Sequence, residues 1–206
     1  MSITKKSAEI QAEKIIKRVL QDKRYISQVL NGIKAKEDSV RYPNAIALEI
    51  LSEKNPEIIY PEWDLFVELL GSNNAYHKSI AISTIANLTA IDREQKFEEI
   101  FNQYFKLIDD KSVIVARKLC IYAGRIVKAK PELKTEITNV LLSINGTQHN
   151  PNRKDLIKGD IIESFGEFFE EIKDKKKILE FVMSQLSSSS PSTVKKAKEF
   201  LSRWMK

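Results

Sequence analysis

The feature that most constrains this chain of 206 residues is an internal repeat. Short polar segments that end successive repeats recur at steps of 37 and 38 residues. These segments are Asn55-Pro56-Glu57, Asp92-Arg93-Glu94 and Lys130-Pro131-Glu132. A period in this range is typical of a solenoid, in which a unit buries its apolar face only by stacking on its neighbours.

Three columns of apolar or small residues support the repeat. Each column takes one residue from each of four successive segments, at steps of 37, 38 and 42 residues. The columns are Ala45, Ile82, Cys120 and Ile162; Leu48, Ile85, Ala123 and Phe165; and Leu51, Leu88, Ile126 and Phe168. Neighbouring columns are three residues apart, which is the spacing of one helix face. We therefore expect these residues to form the core.

The repeat and its helical periodicity predict an all-α fold. We expect a single domain over residues 1–206, built as a right-handed α-solenoid of about five helix pairs behind an N-terminal capping helix at 1–22. The capping helix is predicted from about residue 7 to 21 by the apolar stripe Ala12, Ile15, Ile16, Val19 and Leu20. The helix pairs are predicted at about 23–57, 61–95, 95–132, 132–172 and 174–206.

Prolines and glycines refine the helix boundaries. Ser190-Pro191 fits an N-cap followed by the first helical residue, and Ser39 is a candidate N-cap ahead of Pro43. The fourth pair departs most from the others, because Gly159 and Gly166 fall inside its second helix. Glycine disfavours a helix interior, so we expect either a close helix approach or local looseness there.

Composition limits the function classes. The single cysteine, Cys120, excludes an intramolecular disulfide and lies in a core column, so we interpret it as a small core residue in a reducing compartment. The first residues lack the apolar segment of a signal peptide. The longest uncharged apolar-rich stretch, residues 79–91, is too short to span a bilayer. These observations predict a cytoplasmic protein without a membrane segment.

The order of elements resembles the HEAT-repeat (armadillo-like) family of α-solenoids. Its pattern is a helix, a short Asp/Asn turn, and a second helix that opens with Val-Arg or a similar pair. The matching segments are Asp38-Ser39-Val40-Arg41, Asn73-Asn74-Ala75-Tyr76, Asp109-Asp110 leading to Ala116-Arg117, and Pro191-Ser192-Thr193-Val194-Lys195. The resemblance covers roughly residues 23–206. It implies that the second helices line one face and that a partner protein binds there. Some members bind nucleic acid, and one branch resembles alkylpurine DNA glycosylases.

Enzyme chemistry finds little support in the sequence. His77 and His149 are 72 residues apart, neither precedes a glutamate, and we expect both at the surface. No Gly-rich phosphate loop or Gly-x-Ser-x-Gly motif is present. Trp63-Asp64 is a candidate glycosylase-like pair, but its position in a first helix favours core packing of the tryptophan. We expect no metal and no cofactor, and the sequence favours a non-enzymatic role without deciding it.

Basic residues give the strongest functional signal. Lys118, Tyr122 and Arg125 at i, i+4 and i+7 share one helix face, distinct from the core columns. Arg117 and Lys118 match Lys195 and Lys196 of the fifth pair, and Arg125 matches Arg203. Such a face can hold phosphates or an acidic peptide.

The basic face is not continuous along the repeat. The fourth pair has Asp160 and Glu167 at the positions of Lys118 and Arg125, and the chain's net charge of +6 is split into a basic start, an acidic middle and a basic end. Duplex binding needs a continuous row of cations. A second basic run, Lys173, Lys175, Lys176 and Lys177, is interpreted as a solvated turn.

Two functions remain open at this point. The first is a non-enzymatic scaffold that binds a partner protein or acidic segment on its second-helix face, with Arg117, Lys118, Tyr122, Arg125, Lys195, Lys196 and Arg203 as candidate contacts. The second, less favoured, is a nucleic-acid-binding protein, including an alkylpurine DNA glycosylase-like one. Salt-dependent binding to duplex DNA separates them.

Overall fold

A computed structural model describes residues 4–205. The chain divides into two compact units, Met1–Gln95 and Lys96–Lys206. The division falls at the predicted start of the third helix pair. A single domain over the whole chain stays a prediction.

The first unit is helical throughout, with short 3₁₀ turns between its α-helices. Its helices are α1 (Lys5–Gln21), α2 (Ile26–Gly32), α3 (Asp38–Lys54), α4 (Pro56–Ile59), α5 (Trp63–Leu70) and α6 (Ala75–Leu88). The long helices stack in a row, because α1 packs against α3 and α3 against α6. The shorter α2 and α5 pack against α3 and α6 respectively.

The second unit repeats this alternation of short and long helices. Its helices are α7 (Lys96–Phe105), α8 (Val113–Ala129), α9 (Lys134–Leu142), α10 (Pro151–Gly166), α11 (Lys176–Ser184) and α12 (Pro191–Trp204). The long helices again form a row, in which α10 packs against both α8 and α12. The short α9 contacts α8, and α11 contacts α12.

The all-α prediction is confirmed, since residues 4–205 contain helices and no β-strand. Each predicted pair holds one shorter helix followed by a longer one. The single turn α4 is an addition that the sequence reasoning did not predict. It begins at Pro56, whose fixed φ and missing N–H suit a first helical position.

The core columns are confirmed. All of their members are buried except Ala45, which is half-buried. Cys120 is fully buried, and this burial raises the pKa of its thiol, as expected of a core cysteine. Trp63 is also in the core, at 2% exposure. Leu20 departs from the predicted stripe of α1 and is half-exposed.

Side-chain caps explain several helix starts. Ser190 Oγ accepts a hydrogen bond from the backbone N–H of Thr193 at 3.3 Å, which confirms the predicted cap. Asn74 and Asn150 cap α6 and α10 in the same way. The predicted cap at Ser39 is wrong. Because α3 already begins at Asp38, whose carboxylate suits the positive end of the helix, Ser39 lies within its first turn.

A close helix approach explains one of the two glycines on α10. A Cβ added at Gly159 would lie 2.6 Å from Thr193 Oγ1, so only glycine lets α12 come this near. Gly124 on α8 similarly faces Ser164 O of α10, at 3.0 Å from an added Cβ. At Gly166 the nearest such atom, on Phe200, is 4.0 Å away. Close approach therefore accounts for Gly159 but not for Gly166.

His149 corrects a prediction. It was expected at the surface, but it is buried, and its Nε2 lies 3.0 Å from the Ile108 carbonyl oxygen. The long connection before α10 folds onto the turn that follows α7, where Asp109 Oδ1 accepts the N–H of Gln148 at 2.7 Å. His77 is half-buried at the start of α6.

Candidate functional site

The predicted basic cluster on α8 is assembled as the sequence indicated. Lys118 Nζ lies 4.7 Å and Arg125 Cζ 5.4 Å from the centroid of the Tyr122 ring. A cation over a tyrosine face is worth about 0.5–1 kcal/mol at an exposed site. All three side chains are half-buried, and none is without a partner within the chain.

Arg117 belongs to a different arrangement. Its Nε donates to Asp160 Oδ2 at 2.6 Å, and the side chain of Asp160 is 2% exposed. The hydrogen bond to Asp160 raises the pKa of Arg117 above its ordinary value. On the other side of Asp160, Lys196 Nζ lies 3.1 Å from Oδ1. One buried carboxylate of α10 therefore joins α8 and α12.

Two more ion pairs extend this arrangement. Lys196 Nζ also lies 2.7 Å from Glu163 Oε2. Burial alone lowers the pKa of Lys196, but hydrogen bonds and charges from Glu163 and Asp160 bring it above its ordinary value. Lys128 Nζ of α8 is 2.9 Å from Glu167 Oε2 of α10. We call the four pairs Arg117–Asp160, Lys196–Asp160, Lys196–Glu163 and Lys128–Glu167 the charge ladder of the second unit.

The charge ladder gives the acids of the fourth pair a role that the sequence reasoning missed. Asp160 and Glu167 were expected to interrupt a basic face, but each is the ion-pair partner of a cation on α8. Matching repeat positions do not reveal these pairs, because Arg117 and Asp160 are 43 residues apart and do not share a column. For Arg117 and Asp160, opposite charges displaced by one residue from the repeat step of 42 were the available signal.

The remaining predicted residues on α12 are exposed. Lys195 Nζ lies 3.8 Å from Glu199 Oε1 on the same helix, and Arg203 Cζ lies 4.5 Å from the centroid of the Trp204 ring. Arg203 and Lys196 also border a shallow groove of about 250 Å³ between α10 and α12, floored by Phe200 and Trp204. Six of the seven predicted residues thus belong to the cluster on α8, the charge ladder or the groove edge, and Lys195 lies apart from all three.

An exposed apolar patch accompanies these charges and was not predicted. Ile114 is 66% exposed and Ile121 40% exposed; two helical turns apart, they lie on the same side of α8. Leu156 on the adjacent α10, one repeat step of 42 residues after Ile114, is 40% exposed. Lys118 and Arg125 each follow one isoleucine by four residues and so lie near them on α8. We call Ile114, Ile121 and Leu156 the apolar patch.

Metal binding and the glycosylase-like pair Trp63-Asp64 can be checked directly against the structure. Among residues 4–205, no group of three or more His, Cys, Asp or Glu side chains is placed to hold a metal ion. Trp63 is buried and packs on Tyr60, with ring centroids 5.7 Å apart, so its ring cannot stack on a nucleotide. Within the described part of the chain, no helix has the length and apolar character needed to cross a membrane.

Comparison with known proteins gives a fold but no family. No protein-family model matches the chain, and no curated protein matches it. A crystal structure of an engineered protein, a Northeast Structural Genomics Consortium target, is similar at a TM-score of 0.52 and 15% identity. The match covers 96% of this chain and 88% of that one. At this identity the likeness concerns the fold alone.

Proposed function

We propose that this chain is a right-handed α-solenoid of HEAT-repeat type that acts as a non-enzymatic scaffold for a partner protein. The order of shorter and longer helices supports the architecture. So does the stacking of long helices within each unit, α1–α3–α6 in the first and α8–α10–α12 in the second. Stacked pairs of this kind bury a continuous core and leave one helix row available for binding.

The apolar patch is the single observation that carries the binding proposal. A lone exposed aliphatic residue is ordinary, but a group of them among charged residues is a feature of protein interfaces. Ile114 and Ile121 recur on one side of α8, and Leu156 occupies the equivalent repeat position on α10. The partner segment that fits is therefore apolar along its centre, with acidic residues that can approach the basic cluster on α8.

The charge ladder favours a protein partner over a nucleic acid. A phosphate backbone binds by replacing the counterions of free cations. Arg117, Lys128 and Lys196 are neutralised by acids on the adjacent helix, so a polyanion would have to displace those carboxylates. An apolar partner surface needs no such exchange.

The test compares two double variants in quantitative capture from a lysate of the native cell. Ile114→Glu/Leu156→Glu places charge in the apolar patch and is expected to reduce the captured partner about tenfold. The matched control is Ile10→Glu/Leu20→Glu on α1, whose side chains are 48% and 51% exposed. It should capture as the wild type does. Circular dichroism checks that both variants fold.

Equal capture by both variants would reject the apolar patch as the binding surface. Tight binding of the wild type to duplex DNA with a steep salt dependence would instead favour the nucleic-acid hypothesis, including its glycosylase-like form. A cytoplasmic location stays a prediction that fractionation can check.

A further inference from the structure

The second unit contains a cleft of about 350 Å³ between α9 and the start of α11. This size lies within the range of pockets for small ligands. Its floor is apolar, formed by Leu142, Ile172 and Ile178, and hydroxyl and amide groups of α9 border it. Three lysines stand at its rim: Lys134, Lys173 and Lys177. We call it the lysine cleft.

The lysine cleft is positively charged. Asp174 is the single acid in its lining, so the lining carries a net charge of +2. Lys134 Nζ has a distant partner outside the lining, Glu171 Oε2 at 3.7 Å. Neither Lys173 nor Lys177 forms an ion pair with any acid among residues 4–205. Asp174 uses Oδ1 to accept the backbone N–H of Lys176 at 3.2 Å.

Lys177 also occupies an unfavourable place, in the first turn of α11. The N-terminus of an α-helix is its positive end and favours acids, whereas α11 has no acid in its first turn and begins with Lys176 and Lys177. The positive charges of two neighbouring lysines are stabilised by other groups. Lys175 Nζ lies 5.1 Å from the centroid of the Phe169 ring, and Lys176 Nζ is 4.0 Å from Glu180 Oε1. Lys177 forms no ion pair among residues 4–205 and lies at the rim of the cleft. A bound anion would relieve this repulsion.

We propose that the lysine cleft binds a small organic phosphate monoester. The phosphate group carries a charge of about −1.5 to −2 near neutral pH, which matches the net charge of the lining. Its oxygens would meet Lys173 and Lys177, while the organic part packs on the apolar floor. This site lies on different residues from the apolar patch and does not depend on the proposed scaffold function.

Calorimetric titration of the full chain with phenyl phosphate, benzoate and inorganic phosphate tests the proposal. Phenyl phosphate is expected to bind about tenfold more tightly than benzoate, which lacks the second charge, and than inorganic phosphate, which lacks the apolar part. Lys173→Gln/Lys177→Gln should weaken phenyl phosphate binding at least about tenfold.

The matched control removes two positive charges elsewhere. Lys14→Gln/Lys17→Gln changes two exposed lysines of α1 and should leave the affinity unchanged. Equal weakening by this control would show a general charge effect and overturn the site. So would the absence of saturable binding by the wild type, or benzoate binding as tightly as phenyl phosphate. Tighter binding of a phosphotyrosyl peptide than of phenyl phosphate would overturn the assignment to a small ligand.

Discussion

The long helices of the two units are joined by different polar chemistry. In the first unit α3 and α6 are linked by a neutral bond, in which Asn87 Nδ2 donates to Ser52 Oγ at 2.8 Å. Both residues are buried. In the second unit α8, α10 and α12 are linked by the charge ladder around Asp160.

The difference shows two solutions to placing polar groups between stacked helices. A buried amide and hydroxyl are satisfied by neutral partners and respond little to salt. A buried carboxylate needs compensating cations or hydrogen-bond donors, because burial penalises a charge that is left without them. Variants at Asp160, Ser52 and Asp155 separate these solutions, in decreasing order of expected effect.

Removing the central acid of the charge ladder should have the largest effect on stability. Asp160→Ala leaves Arg117 and Lys196 without their shared partner and is expected to lower the free energy of unfolding by about 2–4 kcal/mol. Urea denaturation followed by circular dichroism measures this. Glu163→Ala is the control, because that carboxylate is 60% exposed and pairs with the same lysine. It should cost less than about 1 kcal/mol. Equal losses of unfolding free energy in the two variants would show that the burial of Asp160 does not determine how much the charge ladder stabilises the fold.

Breaking the neutral link of the first unit should cost less. Ser52→Ala removes the hydroxyl that accepts the Asn87 amide at 2.8 Å and leaves that amide its longer bond to the Glu49 carbonyl oxygen at 3.4 Å, so we expect a cost of about 1–2 kcal/mol. Repeating the denaturation in 0.1 and 0.5 M salt sharpens the comparison, at about the ionic strengths where exposed charges become screened. The cost of Ser52→Ala should stay constant. A strong salt dependence would contradict the assignment of this link as neutral.

The smallest effect is a pH-dependent one at the start of α12. Asp155 accepts hydrogen bonds from Ser189 N at 3.0 Å and from Ser189 Oγ at 2.7 Å. The Ser189 hydroxyl is the main cause that lowers the pKa of Asp155 below its ordinary 3.8. Because the folded-state pKa is lowered, the stabilisation is present above pH 3.8 and is lost as the pH falls through the folded value.

Asp155→Asn tests this by a pH series. The variant should be less stable than the wild type by about 1 kcal/mol near neutral pH. The difference should shrink once the wild-type carboxyl is protonated, below its folded-state pKa. Thermal unfolding between pH 3 and 7 measures the trend. A difference that stays constant down to the lowest pH would exclude the carboxylate charge as its origin.

Much of the fold could be predicted from the sequence, because helix caps and buried helix faces depend on residues that are close together in the chain. The spacing of Leu48, Ile85 and Phe165 predicted buried helix faces, and these residues are buried. The cap at Ser190 followed from a Ser-Pro pair. The errors occurred where tertiary contacts override local signals. His149 looked like a surface turn residue, but its turn packs on the carbonyl of Ile108.

Less of the candidate functional site could be predicted from the sequence. The sequence correctly grouped Lys118, Tyr122 and Arg125, because residues on one helix face are set by the helical period alone. Asp160 looked like an interruption, because the partner of a charged residue depends on how neighbouring helices are offset. The apolar patch was missed for a similar reason: burial of an aliphatic residue depends on what packs over it.

By itself, the sequence determined that this chain forms paired helices with a repeating apolar face, since helix formation and amphipathicity follow from residues a few positions apart. Only the tertiary structure decided that Arg117 and Lys196 share Asp160, that Ile114 is left exposed, and that Lys173 and Lys177 border a cleft. These contacts join residues distant in sequence. Their geometry depends on the rotation and offset of packed helices, which a one-dimensional period does not specify.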